Sequence, residues 1–387
     1  MKRSTDRILT THVGSLPRPK ALLELGSSQN GPPADVGKYR DVMTRSIAEA
    51  VRKQAEVGID VVNEGEFGKE SWANYILGRI SGFEIRRGEQ REAEWLGDDR
   101  FRFKDYIAQE MPMALARPTE ACVGPIRYVD HESIQVAIDA LKAALPAVKV
   151  EEAFMTAVAP ASTAYDGVNE YYPSDREYVF AIAEALREEY LAIHRAGLLV
   201  QVDDAVLANM YDHLVSQSPE RYREWAQLRI DALNHALEGI PQDRVRYHLC
   251  FGSWHLPHIS DAPLEEIVGF ILQVNAGAYS IEAANPRHEH EWRVWQTVKL
   301  PEGRILIPGV ITHHIITVEH PRLVADRIIR FARLVGRENV IAGTDCGFAQ
   351  IDMLQRVHPE VMWAKFEALV EGARIASQEL WGRQAAA

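Results

Sequence analysis

The chain has 387 residues, of which 47% are hydrophobic and 25% are charged, as is usual for a globular enzyme of one large domain or two ordinary ones. Its formal net charge of −12 argues against a nucleic-acid partner, because phosphate contacts need clustered Lys and Arg. No apolar run approaches membrane-spanning length and no apolar signal core follows the N-terminus, so we expect no membrane association.

Eight short β-rich runs recur along the chain with helical patterns between them. Such alternation predicts a parallel sheet, and eight units favour an α/β fold of the closed (β/α)8 TIM barrel type, as a single catalytic domain over residues 1–387. An open doubly wound sheet is the main alternative, but residues 13–17 do not form its usual Gly-rich phosphate loop. The predicted strands are 9–14, 61–66, 150–159, 199–203, 246–251, 279–283, 305–311 and 340–345.

Helical spacing of apolar residues is clearest in the segments between these strands. Gly197 and Gly336 follow two of the segments, where a glycine is expected to end a helix. The stretch 82–149 breaks the alternation, and we predict that it is an insertion after the second strand, lying over the barrel mouth. The predicted helices are 38–57, 175–196, 219–237, 263–275 and 321–335.

Two of the three cysteines and one histidine are candidate metal ligands. His248 and Cys250 lie near the end of the fifth predicted strand, and Cys346 ends the eighth. Residues i and i+2 share one face of a strand, and barrel active sites form where the strands end, so these side chains are predicted to meet. Two thiolates and an imidazole are ligands that zinc prefers, and Glu282, which ends the sixth strand, is a candidate fourth ligand.

Each of these residues also has a purely structural interpretation. A lone buried cysteine is usually a small core residue, and a histidine near a strand is more often a hydrogen-bonded core group than a ligand. Glu282 could equally be the salt-bridge partner that a strand-end carboxylate often is. Three cysteines make a disulfide framework unlikely, which favours a reduced, cytoplasmic compartment.

Two further pairs of histidines are candidates for the same region. His288 and His290 offer a rival ligand pair, but they follow a proline at the predicted start of a helix, where alternate residues diverge, so a solvated helix start is favoured. His313 and His314 follow the seventh strand, and one of them is expected to face the mouth. That residue would be either a proton donor or a hydrogen-bonding partner of the site.

Acidic residues close two more of the predicted strands. Glu66 ends the second strand and Asp203 ends the fourth. Buried acids at a barrel mouth commonly hold a cationic substrate group, such as an α-amino group. Otherwise they hold neighbouring backbone groups or arginine side chains, and the pattern alone leaves both interpretations open.

Taken together, these segments resemble the C-terminal catalytic barrel of cobalamin-independent methionine synthase. The resemblance runs from Thr-Thr-His-Val-Gly-Ser-Leu-Pro at residues 10–17 to Asp-Cys-Gly at 345–347, and it excludes about 82–120. The chain looks like the single-barrel branch of that family, since no part of it resembles the family's N-terminal barrel. That branch also includes zinc-dependent epoxyalkane:coenzyme M transferases.

The resemblance implies a zinc-dependent S-alkyltransferase that activates a small, homocysteine-like thiol as a zinc thiolate for methyl transfer. The implied partners are that thiol and an alkyl donor. By the same resemblance Glu66 and Asp203 hold the substrate amino group, and His314 is the proton donor. The implied zinc ligands are His248, Cys250, Glu282 and Cys346, and the implied backbone contacts to the substrate are Val13, Gly14 and Ser15.

The chain departs from the family where the family binds folate. Asn209 stands where the family has a folate-binding Glu, and residues 156–164, which end in Ala164, lack the family's pterin-binding Trp. Thiol activation is therefore expected, whereas methyltetrahydrofolate as the donor is not.

Two alternatives to methyl transfer remain. Epoxide opening by a sulfonated thiol, as in the coenzyme M branch, would need a cation for the sulfonate, and Arg18 and Arg287 are candidates. A purely structural zinc site is disfavoured, because such sites usually have closely spaced ligands. The sequence leaves open whether the chain forms a homo-oligomer.

Overall fold

A closed parallel barrel is the centre of the fold. The computed structural model describes residues 1–26, 33–91, 93–112, 118–165, 167–253, 255–352 and 356–382. The strands in chain order are β1 (Leu9–Thr10), β2 (Val61–Val62), β3 (Phe83–Gln90), β4 (Pro118–Cys122), β5 (Glu152–Val158), β6 (Gly167–Asn169), β7 (Leu199–Asp204), β8 (Val245–Leu249), β9 (Ala278–Ile281), β10 (Ile305–Ile311) and β11 (Ile341–Thr344).

Eight of these strands pair in the order β1-β11-β10-β9-β8-β7-β5-β2, and every pairing among them is parallel. A parallel bridge between Thr11 and Val61 joins the first strand to the last and closes the sheet. The predicted (β/α)8 barrel is therefore confirmed. All eight predicted strands form barrel strands, although β1 and β2 keep regular pairing for only two residues each.

Helices surround the barrel, and side-chain caps mark where several of them begin. The Ser174 side chain accepts a hydrogen bond from the Glu177 N–H, and Ser218 caps the next long helix in the same way through Arg221. The α-helices are Lys20–Leu23, Val36–Val57, Asp99–Arg102, Lys104–Glu110, His131–Ala144, Asp175–Arg195, Val206–Asn209, Tyr211–Val215, Pro219–Ala236, Leu264–Ile271, Pro321–Val335 and Pro359–Trp381.

A small second sheet occupies the stretch that breaks the alternation. β3 pairs antiparallel with β4, and β4 pairs parallel with β6. The helix His131–Ala144 packs between the helices Val36–Val57 and Asp175–Arg195, so this part of the predicted insertion belongs to the outer ring of the barrel. Its buried apolar face explains this position. The single catalytic domain with an insertion over its mouth stays a prediction.

The barrel strands are buried on both faces, as expected for parallel strands covered by helices. Within the part of the chain that the structure describes, no helix combines the length and the apolar character needed to cross a membrane.

Candidate metal centre and active site

His248, Cys250 and Cys346 meet at the carboxyl ends of β8 and β11. Their ligand atoms all lie within 4.8 Å of one another, and all three residues are buried. The Cys250 and Cys346 Sγ atoms are 3.5 Å apart, and both residues carry free thiols. His248 lies in β8 and Cys250 directly follows the last residue of that strand, so the alternation of side chains along the strand turns both residues to the same face.

The electrostatics of this cluster favour negative charge on one of the two sulfurs, that of Cys346. The interaction with Cys250 and the neighbouring His248 hold the pKa of Cys346 well below its usual range. The same sulfur–sulfur interaction, with burial, raises the pKa of Cys250. Burial lowers the pKa of His248, but the adjacent Cys346 outweighs this effect and the net pKa is raised. A soft divalent cation would satisfy two thiolates and this imidazole together, so the donor set fits zinc.

Glu282 lies beside this cluster but is bound to the protein. Its Oε1 accepts a hydrogen bond from the Phe251 N–H at 3.1 Å, and its Oε2 accepts one from the Asn285 side chain at 2.9 Å. The carboxylate of Glu282 forms a second cluster with His313 and Asp345, and the ligand atoms of these three residues lie within 4.8 Å of one another. Burial raises the pKa of Glu282 well above its usual value, and Asp345 adds to this effect.

Asp345 is a structural member of this second group. Its Oδ1 accepts hydrogen bonds from the Ala283 and Ala284 N–H groups, both at 2.8 Å. A Cβ at Gly309 would lie 2.1 Å from the same oxygen, so only glycine at this position leaves room for the carboxylate. These contacts fasten the end of β9, and with it Glu282, to the end of β11.

His313 and His314 differ in their surroundings. His313 is buried and His314 is only partly buried, and both line a side cavity together with Glu282 and His288. Burial lowers the pKa of His313 well below its usual value and lowers the pKa of His314 to about 4. Both imidazoles are therefore neutral at pH 7.

The rival pair of histidines does not converge on one site. His288 lies between two carboxylates, 2.9 Å from Asp261 Oδ2 and 2.8 Å from Glu291 Oε2, while His290 is exposed. Burial lowers the pKa of His288, but the two carboxylates raise it to about 10 overall. It is thus a charged structural group, stacked on Phe251 with the ring centroids 3.8 Å apart.

A pair of buried acids faces the same cavity as the sulfurs. Burial raises the pKa of Asp203 to about 7, and the nearby carboxylate of Glu66 contributes to the increase. Glu66 has a φ of 58°, in the left-handed region that non-glycine residues rarely adopt. Gly14 has a φ of 144°, and a Cβ there would lie 2.5 Å from Glu66 Oε1. Gly14 therefore makes room for the Glu66 carboxylate.

The neighbours of Gly14 are anchored to the surrounding strands. The Val13 N–H donates to Thr344 Oγ1 at 3.2 Å, and the Val13 carbonyl accepts from the Gln201 amide. The Ser15 carbonyl accepts from the Phe348 N–H at 2.8 Å. Both backbone groups of Val13 thus already have partners, and the contacts hold this loop beside the cysteine cluster.

One cavity, which is open to solvent, joins the sulfurs to the acids. Its outer wall is aromatic, because Tyr165 stacks with Trp72 and meets Trp95 edge-on, each at 6.2 Å between ring centroids. Arg356 also lines the cavity, and burial lowers its pKa to about 10. Sequence reasoning missed Trp72, Trp95 and Arg356, since they come from loops with no periodic signal.

The residues that differ from the resembled family lie at different distances from the cavity. The Asn209 amide lines the cavity and donates to the Phe251 carbonyl at 2.9 Å, so it provides no carboxylate there. Ala164 is buried, with a φ of 49°. Arg18 is buried and donates to backbone carbonyls such as that of Ala349, whereas Arg287 lines the side cavity. Neither arginine lines the main cavity.

Comparisons with known proteins agree on one family. The family model described as "Cobalamin-independent synthase, Catalytic domain" matches residues 8–93 and 159–365. Methionine synthase from Thermococcus kodakarensis is 21% identical over 375 residues, with 96% of this chain and 94% of that protein covered. Methionine synthase from Sulfolobus acidocaldarius is 23% identical over 374 residues, covering 96% of this chain and 93% of that protein.

Solved structures agree on the fold. A B12-independent methionine synthase from Shewanella, in complex with selenomethionine, superposes with a TM-score of 0.74 at 18% identity, covering 97% of this chain and 99% of that one. A putative vitamin-B12-independent methionine synthase from Listeria monocytogenes gives a TM-score of 0.66 at 20% identity, with coverages of 95% and 98%.

Proposed function

We propose that this chain, which belongs to the cobalamin-independent methionine synthase family, is a zinc-dependent S-methyltransferase that acts on a small thiol. The part of the family that it matches is the catalytic domain. The thiol is of the homocysteine type. The proposed ligands are His248, Cys250, Glu282 and Cys346. The observation that carries the proposal is the meeting of two cysteine sulfurs and a histidine in a cavity that also contains two buried acids.

Bound zinc would supply the Lewis acidity that lowers the pKa of the incoming thiol. The protein supplies the surroundings in which that sulfur reacts. Cys250 and Cys346 bring negative charge to the metal pocket, which keeps the attacking sulfur electron-rich. Glu282 is the proposed ligand best placed to leave, because the Phe251 N–H and Asn285 already hold its carboxylate.

Glu66 and Asp203 would position the substrate by its ammonium group. Burial and the nearby Glu66 carboxylate raise the pKa of Asp203, and a cation placed beside Asp203 would offset that effect. Gly14 and Ser15 lie on the same loop and would contact the amino acid through their backbone. This arrangement favours an amino-acid thiol over one that lacks an amino group.

His314 is the proposed proton carrier. Its pKa of about 4 leaves it neutral at pH 7, so it would first accept a proton rather than donate one. The thiol loses one proton and the leaving atom of the methyl donor needs one. A neutral imidazole at the rim could take the first and return it as the second, without net change.

The experiment is a screen of thiol consumption by the zinc-loaded chain. Homocysteine, coenzyme M and other thiols would be tested against methyl-folate, methylcobalamin, aryl methyl ethers and epoxides. We expect homocysteine to be methylated by at least one methyl donor, and less readily by methyl-folate because Asn209 replaces a carboxylate. No methylation of any thiol by any of the methyl donors would contradict the proposal.

Epoxide opening by a sulfonated thiol is the second candidate function. The observation that favours it is Arg356, a cation lining the cavity near Cys346 and Cys250. A guanidinium binds sulfonate as readily as carboxylate, so it could hold either kind of thiol. Consumption of coenzyme M with an epoxide, without any reaction of homocysteine, would select this candidate.

A further inference from the structure

His313 is a buried imidazole whose burial is unexplained by hydrogen bonding. Its side chain is buried at the end of β10. Among the residues that the structure describes, neither Nδ1 nor Nε2 of His313 has a hydrogen-bond partner. A buried polar group without a partner costs free energy, so native proteins seldom keep one unless it binds something.

The position of His313 indicates what it binds. A ligand nitrogen of its ring lies within 4.8 Å of ligand oxygens of Glu282 and Asp345. Asp345 directly precedes the proposed zinc ligand Cys346 in the chain. His313 therefore stands on the Glu282 side of the metal pocket, close to the cysteine cluster.

The carboxylate oxygens near His313 accept hydrogen bonds from the protein, whereas its ring nitrogens have no hydrogen-bond partner among the described residues. Both oxygens of Glu282 accept hydrogen bonds from the protein, and both oxygens of Asp345 do so as well. Within this second group, the imidazole is thus the donor that has no hydrogen-bond partner competing with a metal.

We propose that His313 is a further ligand of the metal pocket, which takes the coordination position of Glu282 when that carboxylate stays with its protein partners. The proposal rests on the zinc site of the proposed function. It gives the pocket five protein donors for four positions, with His248, Cys250 and Cys346 constant and the fourth shared. A neutral imidazole in place of a carboxylate would make the ligand set of the metal less negative by one charge, which changes how strongly the metal attracts a thiolate.

The direct test is zinc X-ray absorption on the full-length Glu282→Gln variant, which leaves His313 in place. We expect two sulfurs and two imidazoles around the metal. Two sulfurs with a single imidazole and a light oxygen ligand would overturn the inference. Wild-type protein that binds no zinc would instead overturn the proposed function, so the two failures are distinguishable.

Chelator competition supplies a second readout that needs no activity. The Glu282→Gln and His313→Ala variants should each keep tight zinc, whereas the double variant should lose more than about 100-fold in affinity, beyond the effect typical of an outer-shell partner. The matched control is Glu282→Gln with His314→Ala, which alters the adjacent histidine and should bind zinc like Glu282→Gln alone. If the Glu282→Gln, His313→Ala double variant binds zinc as tightly as this control does, the inference is overturned.

Discussion

The Sγ atoms of Cys250 and Cys346 lie 3.5 Å apart, although the two residues are 96 positions apart in the chain. The barrel creates this contact, because β8 and β11 end at the same rim. Structural zinc sites usually take closely spaced ligands, whereas this pair joins two separate strands at the wall of an open cavity. That position suits a metal that meets a substrate.

Replacing Cys346 by Ser should remove both zinc and activity. Zinc binds thiolate far better than hydroxyl, and the three-donor cluster would retain only His248 and Cys250. The matched control is Cys122→Ser, which changes a buried cysteine of β4 outside the cluster. Zinc content by elemental analysis and methyl transfer should both survive in the control. Equal zinc loss in the two variants would point to a general folding defect.

Replacing Gly14 by Ala should impair substrate binding through Glu66. The new Cβ would collide with Glu66 Oε1, and the backbone at φ 144° is strained for alanine, at a cost of about 1–3 kcal/mol. We expect KM for an amino-acid thiol to rise about tenfold, equivalent to ~1.4 kcal/mol, with zinc content unchanged. Glu66→Gln should have the same effect without the strain.

A thiol without an amino group tests whether Glu66 acts on the ammonium group of the substrate. Its KM should change little in Glu66→Gln, because the lost interaction is with the ammonium group. If KM rises equally for both thiols in the Glu66→Gln variant, Glu66 does not bind the amino group.

Replacing His314 by Ala should abolish or strongly reduce alkyl transfer while leaving zinc in place. A general acid–base group typically contributes about 10²–10⁴-fold to rate, so kcat should fall within that range. The measurement is single-turnover transfer with zinc content determined on the same sample. A fall in zinc content equal to the fall in rate would make His314 a ligand or a structural residue.

Replacing His288 by Gln should reduce stability below pH 10 and flatten its pH dependence. The pKa of His288 is raised to about 10 in the folded protein by Asp261 and Glu291, against about 6.5 unfolded. The stabilisation is therefore complete below about pH 6.5 and disappears as the pH rises through about 10. Denaturant unfolding across this range measures it. The exposed His290→Gln variant is the control, and an equal slope in both variants would contradict the account.

The barrel was predictable because its strands carry a strong local signal. The apolar run that becomes β10, Ile305–Ile311, is buried along its whole length and has the same bounds in prediction and structure. The strand β6 was not predictable, since Gly167–Asn169 is three residues long and pairs with β4, a partner distant in sequence. The helix His131–Ala144 falls within the predicted insertion, because the irregular segment before it gives no signal of where the alternation of strands and helices resumes.

The candidate site was predictable only where alternation along a strand applies. His248 and Cys250 lie two residues apart at the end of β8, so a shared direction follows from the sequence. His313 and His314 come after the last residue of β10, where the backbone leaves the strand and alternation no longer decides which ring faces inward. The cavity walls formed by Trp72 and Trp95 depend on loop positions that no local pattern specifies.

The most direct measurement is zinc K-edge absorption of the wild-type chain before and after homocysteine is added. The account predicts one zinc per chain with two sulfur ligands, rising to three sulfurs when the thiol binds. A sulfur count that stays at two with saturating homocysteine, or a chain that binds no zinc, would contradict it.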